Sequence, residues 1–179
     1  VGKGCNLYAL GWKFSGAAQV ILRYLRMGYL WDSVRVKGGA YGVSCRLGRS
    51  TGNFVCTSYR DPNVSGTISA YDGIADYLSG MSLNREELER AIVGVIGDLD
   101  LYMLPDARGV KSLYQYLAGD TEEKRQRMRE EMLSTTADDF RAFAGIMAEA
   151  KTHGAVSVIG GSRALEEGTR LGWKCENLF

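Results

Sequence analysis

The sequence is poor in several features whose scarcity excludes whole classes of protein. It holds two prolines and no low-complexity run, which argues against a disordered chain. Lysine and arginine total 22 against 21 aspartates and glutamates, so a net charge of +1 predicts no nucleic-acid partner. The longest apolar runs are far shorter than the roughly 20 residues that a membrane span needs. We therefore expect neither a nucleic-acid partner nor a membrane partner.

Histidine is scarcer still, and His153 is the single copy in the sequence. One histidine cannot form a His-based catalytic zinc site, and neither HExxH nor HxxEH is present. The cysteines Cys5, Cys45, Cys56 and Cys175 include no CxxC pair, which disfavours a zinc knuckle or a thioredoxin motif. We expect free thiols in a reducing compartment and no metal site in this chain.

What the sequence does contain is the balance of a globular domain. Apolar residues make up 45% and charged residues 24%, and 179 residues are enough to bury a sizeable core. No linker or internal repeat interrupts them, so we predict a single domain over residues 1–179. The first residues lack an initiator methionine and an apolar signal region, which favours an excised piece of a longer polypeptide.

Hydrophobic periodicity places strands near both ends of the chain and helices between them. We predict strands over residues 5–10, 41–47, 53–59 and 155–159, the middle two as a hairpin and the last as a buried central strand. We predict helices over residues 15–27, 30–34, 64–78, 84–99, 106–118, 121–133, 136–150 and 162–167. Helix starts are assigned to Asp61-Pro62, Asn84 and either Asp120 or Thr121. Because strands and helices do not alternate, we expect an α+β fold: an antiparallel or mixed β-sheet with helices packed on one face.

The segment RVKGGAYG, residues 35–42, joins a helical run to a strand. Arg35 offers up to five hydrogen-bond donors and a permanent charge, and Tyr41 offers a phenolic donor. A glycine turn between them can bring both donors to one carbonyl oxygen or its oxyanion. An ordinary helix-to-strand loop with a surface arginine and a core tyrosine explains the same letters.

Two other stretches permit anion binding but have simpler explanations. Arg46 and Arg49 lie near the predicted hairpin turn, where arginine commonly serves solubility. Gly160-Gly161 precedes a predicted helix but lacks the GxGxxG and GxxxxGK[ST] patterns, which favours a tight turn.

Five motifs in order resemble the C-terminal portion of the presequence proteases: LWDSVRVKGGAYG, SYRDPN, YDGIADYL, AIVGVIGDLDLYMLPDARG and TEEKRQRMREEMLSTTADDF. That family lies in the pitrilysin/insulinase superfamily of inverted-motif zinc metallopeptidases. The resemblance runs from about residue 1 to 162. It implies a pitrilysin-type domain, the fourth of four α+β domains whose two halves close around a peptide chamber. It also implies a zinc ion and HxxEH motif in the first domain, in the N-terminal half of the same parent polypeptide.

The resemblance also implies roles for residues of this chain. Arg35 and Tyr41 match the arginine and tyrosine that the fourth domain lends to the active site, as catalytic donors to the peptide substrate. Gly38 and Gly39 are expected to let the loop lie close to the substrate backbone. The stretch VSCRLGRSTG departs from the family pattern, which leaves local substrate preference open.

One alternative function belongs to the same superfamily: a catalytically inactive module that binds or holds partners. The compartment stays open as well. The resemblance implies cytoplasm for a bacterial source and the mitochondrial matrix or plastid stroma for a eukaryotic one.

Overall fold

A computed structural model describes residues 1–177 of the chain. Within them the strands are β1 (Gly2–Asn6), β2 (Gly42–Leu47), β3 (Asn53–Tyr59) and β4 (Ala155–Ser157). The helices are α1 (Ala17–Met27), α2 (Val64–Asp72), α3 (Ile74–Gly80), α4 (Arg85–Leu99), α5 (Pro105–Leu117), α6 (Glu122–Leu133), α7 (Ala137–His153) and α8 (Ser162–Arg170). One π-helical turn spans Trp31–Val36.

The four strands form one antiparallel sheet in the order β2-β3-β1-β4. Successive side chains of each strand point to opposite faces of the sheet. Cys45 and Cys56, which are paired across β2 and β3, lie on the buried face. Their neighbours Arg46 and Thr57 point to the opposite face and are exposed. Helices therefore cover one face and leave the other open, which confirms the predicted α+β fold.

The core lies between the covered face of the sheet and helices α1, α3 and α7. Its fully buried side chains come from all of these elements, as the period of each helix requires. They include Leu7, Ile21, Leu25, Leu30, Ile74, Leu78 and Phe140. A second, smaller cluster joins α1 to α4 and α6 through Val20, Ala91, Val95 and Met132.

Local signals fix most helix starts where the sequence predicts them. The Asn84 side chain accepts a hydrogen bond from the Glu87 backbone N–H at 2.8 Å, and Thr121 accepts one from Lys124 at 3.4 Å. Pro105 occupies the first turn of α5. Helices α4 and α6 therefore begin where a capping side chain accepts from a free N–H group, and α5 begins at a proline that has no N–H to satisfy.

Several predicted elements differ in the structure. The helix predicted over 30–34 is the π-helical turn, and α7 ends at His153, three residues past its predicted end. The strand predicted over residues 5–10 ends at Asn6, whose side chain accepts hydrogen bonds from two following backbone N–H groups and so turns the chain. The helix predicted over 64–78 is two helices that meet at Gly73, and Asn63 rather than Asp61-Pro62 caps the first.

The other two corrections concern the C-terminal part of the chain. The predicted buried central strand over 155–159 is a three-residue edge strand, β4, and all three of its residues are exposed. An apolar sequence run does not distinguish an edge strand from a central one, because both read as β-formers. The last helix extends to Arg170, three residues past its predicted end.

Candidate functional site

Arg35 lies on the π-helical turn that follows α1. Its guanidinium carbon is 4.0 Å from the centre of the Trp31 ring, four residues earlier, and its Nε donates a hydrogen bond to the Tyr41 carbonyl oxygen at 3.0 Å. The side chain is half-buried. Stacking and the hydrogen bond hold the guanidinium in place. Its two terminal nitrogens have no protein partner among residues 1–177.

The two glycines reverse the chain between Arg35 and Tyr41. A Cβ on Gly38 would lie 2.5 Å from the Val34 carbonyl oxygen, closer than carbon and oxygen can approach. Gly39 has a φ of 80°, in the left-handed region that favours glycine. The turn is closed by the Ala40 N–H, which donates to the Val34 carbonyl at 3.1 Å. The backbone of the turn itself therefore favours glycine at both positions, and the predicted contact of these glycines with substrate stays a prediction.

Tyr41 stands at the start of β2 with 66% of its surface exposed. Its backbone N–H donates to the Tyr59 carbonyl at 3.1 Å, and its ring meets the Tyr59 ring edge-on at 6.0 Å. The Arg60 guanidinium carbon lies 5.8 Å from the centre of the same ring. The Tyr41 hydroxyl has no hydrogen-bond partner within the described part of the chain. The alternative of a core tyrosine is therefore wrong.

A groove of about 1230 Å³ opens beside this pair of tyrosines. Its lining includes Tyr59 and Arg60, the segment before α8 and residues of α8 itself. Thr57 of β3 and Val64 at the start of α2 line the groove as well. Tyr41 does not line the groove itself, but its ring packs against Tyr59, which does.

The metal-binding residue types do not meet in a common site. Across residues 1–177 no group of three or more His, Cys, Asp or Glu side chains is arranged to hold a metal ion. His153 lies at the exposed end of α7, and its Nδ1 is 2.9 Å from the Glu149 carbonyl oxygen. Burial raises the pKa of the Cys45 thiol to about 12 and raises that of Cys56 as well, so both sulfurs stay protonated at neutral pH. This donor set does not fit zinc.

The remaining sequence candidates are placed apart from Arg35 and Tyr41 or serve the fold. Arg49 forms an ion pair with Asp120 at 2.9 Å and so ties the hairpin to the loop before α6. Arg46 lies on the open sheet face, and all four cysteines are free. No helix of the described residues is long and apolar enough to cross a membrane.

Sequence reasoning missed the two residues that contact Tyr41 from the neighbouring strand, Tyr59 and Arg60. Their proximity follows from the antiparallel register, which pairs Gly42 with Tyr59. The run SYRDPN marked the end of β3 in the sequence, but only strand pairing connects that end with the start of β2.

Comparison with known proteins places the chain in one family. A family model described as the PreP C-terminal domain matches residues 1–162. Presequence protease 1, chloroplastic/mitochondrial, of Arabidopsis thaliana is 49% identical over 144 residues, which are 80% of this chain and 13% of that protein. Protein HypA of Clostridium perfringens is 34% identical over 171 residues, which are 96% of this chain and 18% of that protein.

A fungal relative gives the same result. The mitochondrial presequence protease of Aspergillus oryzae is 35% identical over 127 residues, which are 71% of this chain and 12% of that protein. The chain therefore spans less than a fifth of the length of these relatives.

Proposed function

The chain belongs to the family of presequence protease C-terminal domains, and from this membership we propose that it is the C-terminal part of a zinc metalloendopeptidase. The substrates of the parent protein are unstructured peptides that fit in a closed chamber. Such peptides present the same backbone carbonyls whatever their sequence, so a site that binds the backbone accepts many of them. Named relatives support this assignment because they are presequence proteases.

The observation that carries the proposal is the unpartnered phenol of Tyr41, whose backbone carbonyl accepts a hydrogen bond from the Arg35 guanidinium. Arg35 holds the Tyr41 backbone through its Nε and keeps its terminal N–H groups available to a ligand. The Tyr41 side chain is exposed, and its ring packs against Tyr59 in the lining of the groove. In the reaction both groups donate to the oxygen of the substrate carbonyl and to the oxyanion that forms from it. Donors fixed before substrate arrives need no reorganisation during the reaction.

We assign the metal to a separate N-terminal domain of the parent, as the family resemblance implies; residues 1–177 present no group of three or more side chains that could hold a metal ion. A zinc ion bound there supplies Lewis-acid polarisation of the substrate carbonyl. The reaction centre is then complete only when the two parts of the parent come together, so closure excludes water at the same time.

An apolar surface on α5 supports the proposal that another part of the parent packs against this chain. Helix α5 buries no residue in the described structure. One of its faces carries Val110, Leu113, Tyr114 and Leu117, which are 53–70% exposed. We call these four residues the α5 face. An apolar surface of this kind commonly marks a protein interface. Since these relatives are more than five times as long as the matched region, the occupant we propose is the N-terminal half of the same polypeptide.

The test is peptide hydrolysis by the full-length parent protein. We expect it to cleave an unstructured fluorogenic peptide, to lose that activity on chelation of zinc and to regain it when zinc is restored. The upstream sequence should contain HxxEH. A parent protein that binds peptides without turnover and lacks HxxEH would instead be the inactive binding module of the same superfamily.

A further inference from the structure

Arg60 has a backbone conformation that its side chain disfavours. Its φ is +46°, and no other non-glycine residue among residues 1–177 has a positive φ. It follows Tyr59, the last residue of β3, where the chain turns towards α2. Asp61 stabilises this turn by accepting hydrogen bonds from the Ser58 hydroxyl and, at 2.9 Å, from the Asn63 backbone N–H. Glycine would adopt the same φ at lower cost, so the turn alone does not require an arginine.

The Arg60 side chain is held by aromatic rings and is otherwise free. Its guanidinium carbon is 5.4 Å from the centre of the Tyr59 ring and 5.8 Å from that of Tyr41. Both distances fall in the range of cation–π attraction. The residue is exposed, and it forms no ion pair or side-chain hydrogen bond with any described residue. The rings of Tyr41 and Tyr59 thus hold the permanently charged guanidinium of Arg60, whose N–H donors are unpaired among the described residues.

The acidic residues on the same groove are mostly occupied elsewhere. Asp61 uses its carboxylate in the turn described above. Glu167 on α8 accepts hydrogen bonds from the backbone N–H and hydroxyl of Ser65, and lies 3.9 Å from Arg170. Neither carboxylate forms an ion pair with Arg60. Glu166 on α8 also lines the groove, and it too forms no ion pair with Arg60, so the Arg60 guanidinium is unpaired among the described residues.

We propose that Arg60 is a further substrate-binding residue, which binds a carboxylate of the peptide that occupies the groove lined by Tyr59 and Arg60. This proposal rests on the proposed function. A guanidinium presents parallel N–H groups that match the two oxygens of a carboxylate. The carboxylate comes either from an acidic side chain or from the C-terminus of the peptide. Arg60 in this way sets a preference among substrates, while Arg35 and Tyr41 act on the carbonyl that every peptide has.

The experiment measures peptide binding by full-length protein that carries Tyr41→Phe, which slows turnover and keeps the aromatic ring. Fluorescent, unstructured peptides are compared in three forms: one with an acidic residue placed at successive positions, one with the matching amide residue, and one with an amidated C-terminus. Arg60→Gln is compared with the intact arginine. Arg127→Gln, on the exposed face of α6, is the matched control for the loss of one positive charge.

We expect Arg60→Gln to raise Kd by up to about fivefold for peptides that carry the bound carboxylate, and to leave their neutral counterparts unchanged. A loss confined to peptides with an acidic residue identifies the side chain as the ligand. A loss confined to peptides with a free C-terminus identifies the terminal carboxylate. Equal effects on charged and neutral peptides, or no effect on either, would overturn the proposal.

Two further variants separate binding from folding. Arg60→Gly removes the guanidinium, and glycine favours the left-handed φ at this position. The thermal unfolding midpoint of this variant should therefore equal or exceed that of the protein with Arg60 intact, while the preference for carboxylate-bearing peptides is lost. Arg60→Lys keeps the charge without the planar fork and should retain part of the preference. Peptide hydrolysis by the protein with Tyr41 intact reports separately on the proposed function. Turnover without any Arg60-dependent preference contradicts this inference alone.

Discussion

Replacement of Tyr41 by phenylalanine removes one oxygen atom and little else. The Tyr41 hydroxyl has no protein partner within the described chain, and the side chain is 66% exposed. The ring contacts with Tyr59 and Arg60 involve carbon atoms that phenylalanine retains. The Arg35 hydrogen bond is to the backbone carbonyl of residue 41, which the substitution does not change. The fold therefore loses no hydrogen bond.

The expected effect on the activation barrier is at least about five times the expected effect on stability. A surface substitution that breaks no contact changes the free energy of unfolding by less than about 0.5 kcal/mol. Loss of one donor to an oxyanion raises the activation barrier by about 2.7–4 kcal/mol, which lowers kcat roughly a hundredfold or more. The assay is steady-state hydrolysis of a fluorogenic peptide by the full-length protein, with thermal unfolding measured on the same preparation.

A matched control is available on a distant helix. Tyr116 on α5 is 83% exposed, and Tyr116→Phe removes the same atom away from the groove. Its kcat should equal that of the unmodified protein. An unchanged kcat for Tyr41→Phe would refute the catalytic role of the phenol. A large drop in its unfolding midpoint would show that the hydroxyl serves the fold instead.

Two more expectations follow from the packing of the loop and of α5. Gly38→Ala and Gly39→Ala should each lower the free energy of unfolding by about 1–3 kcal/mol in chemical denaturation. The first places a Cβ 2.5 Å from a backbone carbonyl oxygen, and the second places alanine at a φ of 80°. Gly42→Ala, with no atom within 4 Å of its Cβ, should be neutral, and equal losses at all three sites would contradict the geometry. Leu117→Asp on the α5 face should lower the unfolding midpoint of the full-length protein, because it places a charge against the N-terminal half. Ser112→Asp, on the opposite side of α5, should not, and equal midpoints for the two variants would remove the α5 face from the interface.

Local signals predicted much of the fold. The hairpin of β2 and β3 and the helices α1, α4, α5 and α6 begin and end close to their expected positions. Each of these elements is specified by residues within a few positions of one another: capping side chains, a proline in the first turn, or an alternating run. The wrong predictions concern elements whose position depends on contacts with distant parts of the chain. The short β4 is an exposed edge strand because it pairs with β1 alone, about 150 residues earlier in the chain.

The candidate site divides along the same line. The motif RVKGGAYG was enough to select Arg35 and Tyr41 as candidates, because both the family resemblance and the donor chemistry of the two side chains can be read from the amino-acid sequence. Three contacts became visible only in the folded structure. Arg35 donates a hydrogen bond to the Tyr41 backbone, and a carbonyl of the preceding turn leaves room only for glycine at position 38. The Arg60 guanidinium lies beside the Tyr41 ring. These contacts depend on strand register and on the path of the backbone. Both are settled by the packing of the whole chain, so no short stretch of sequence contains them.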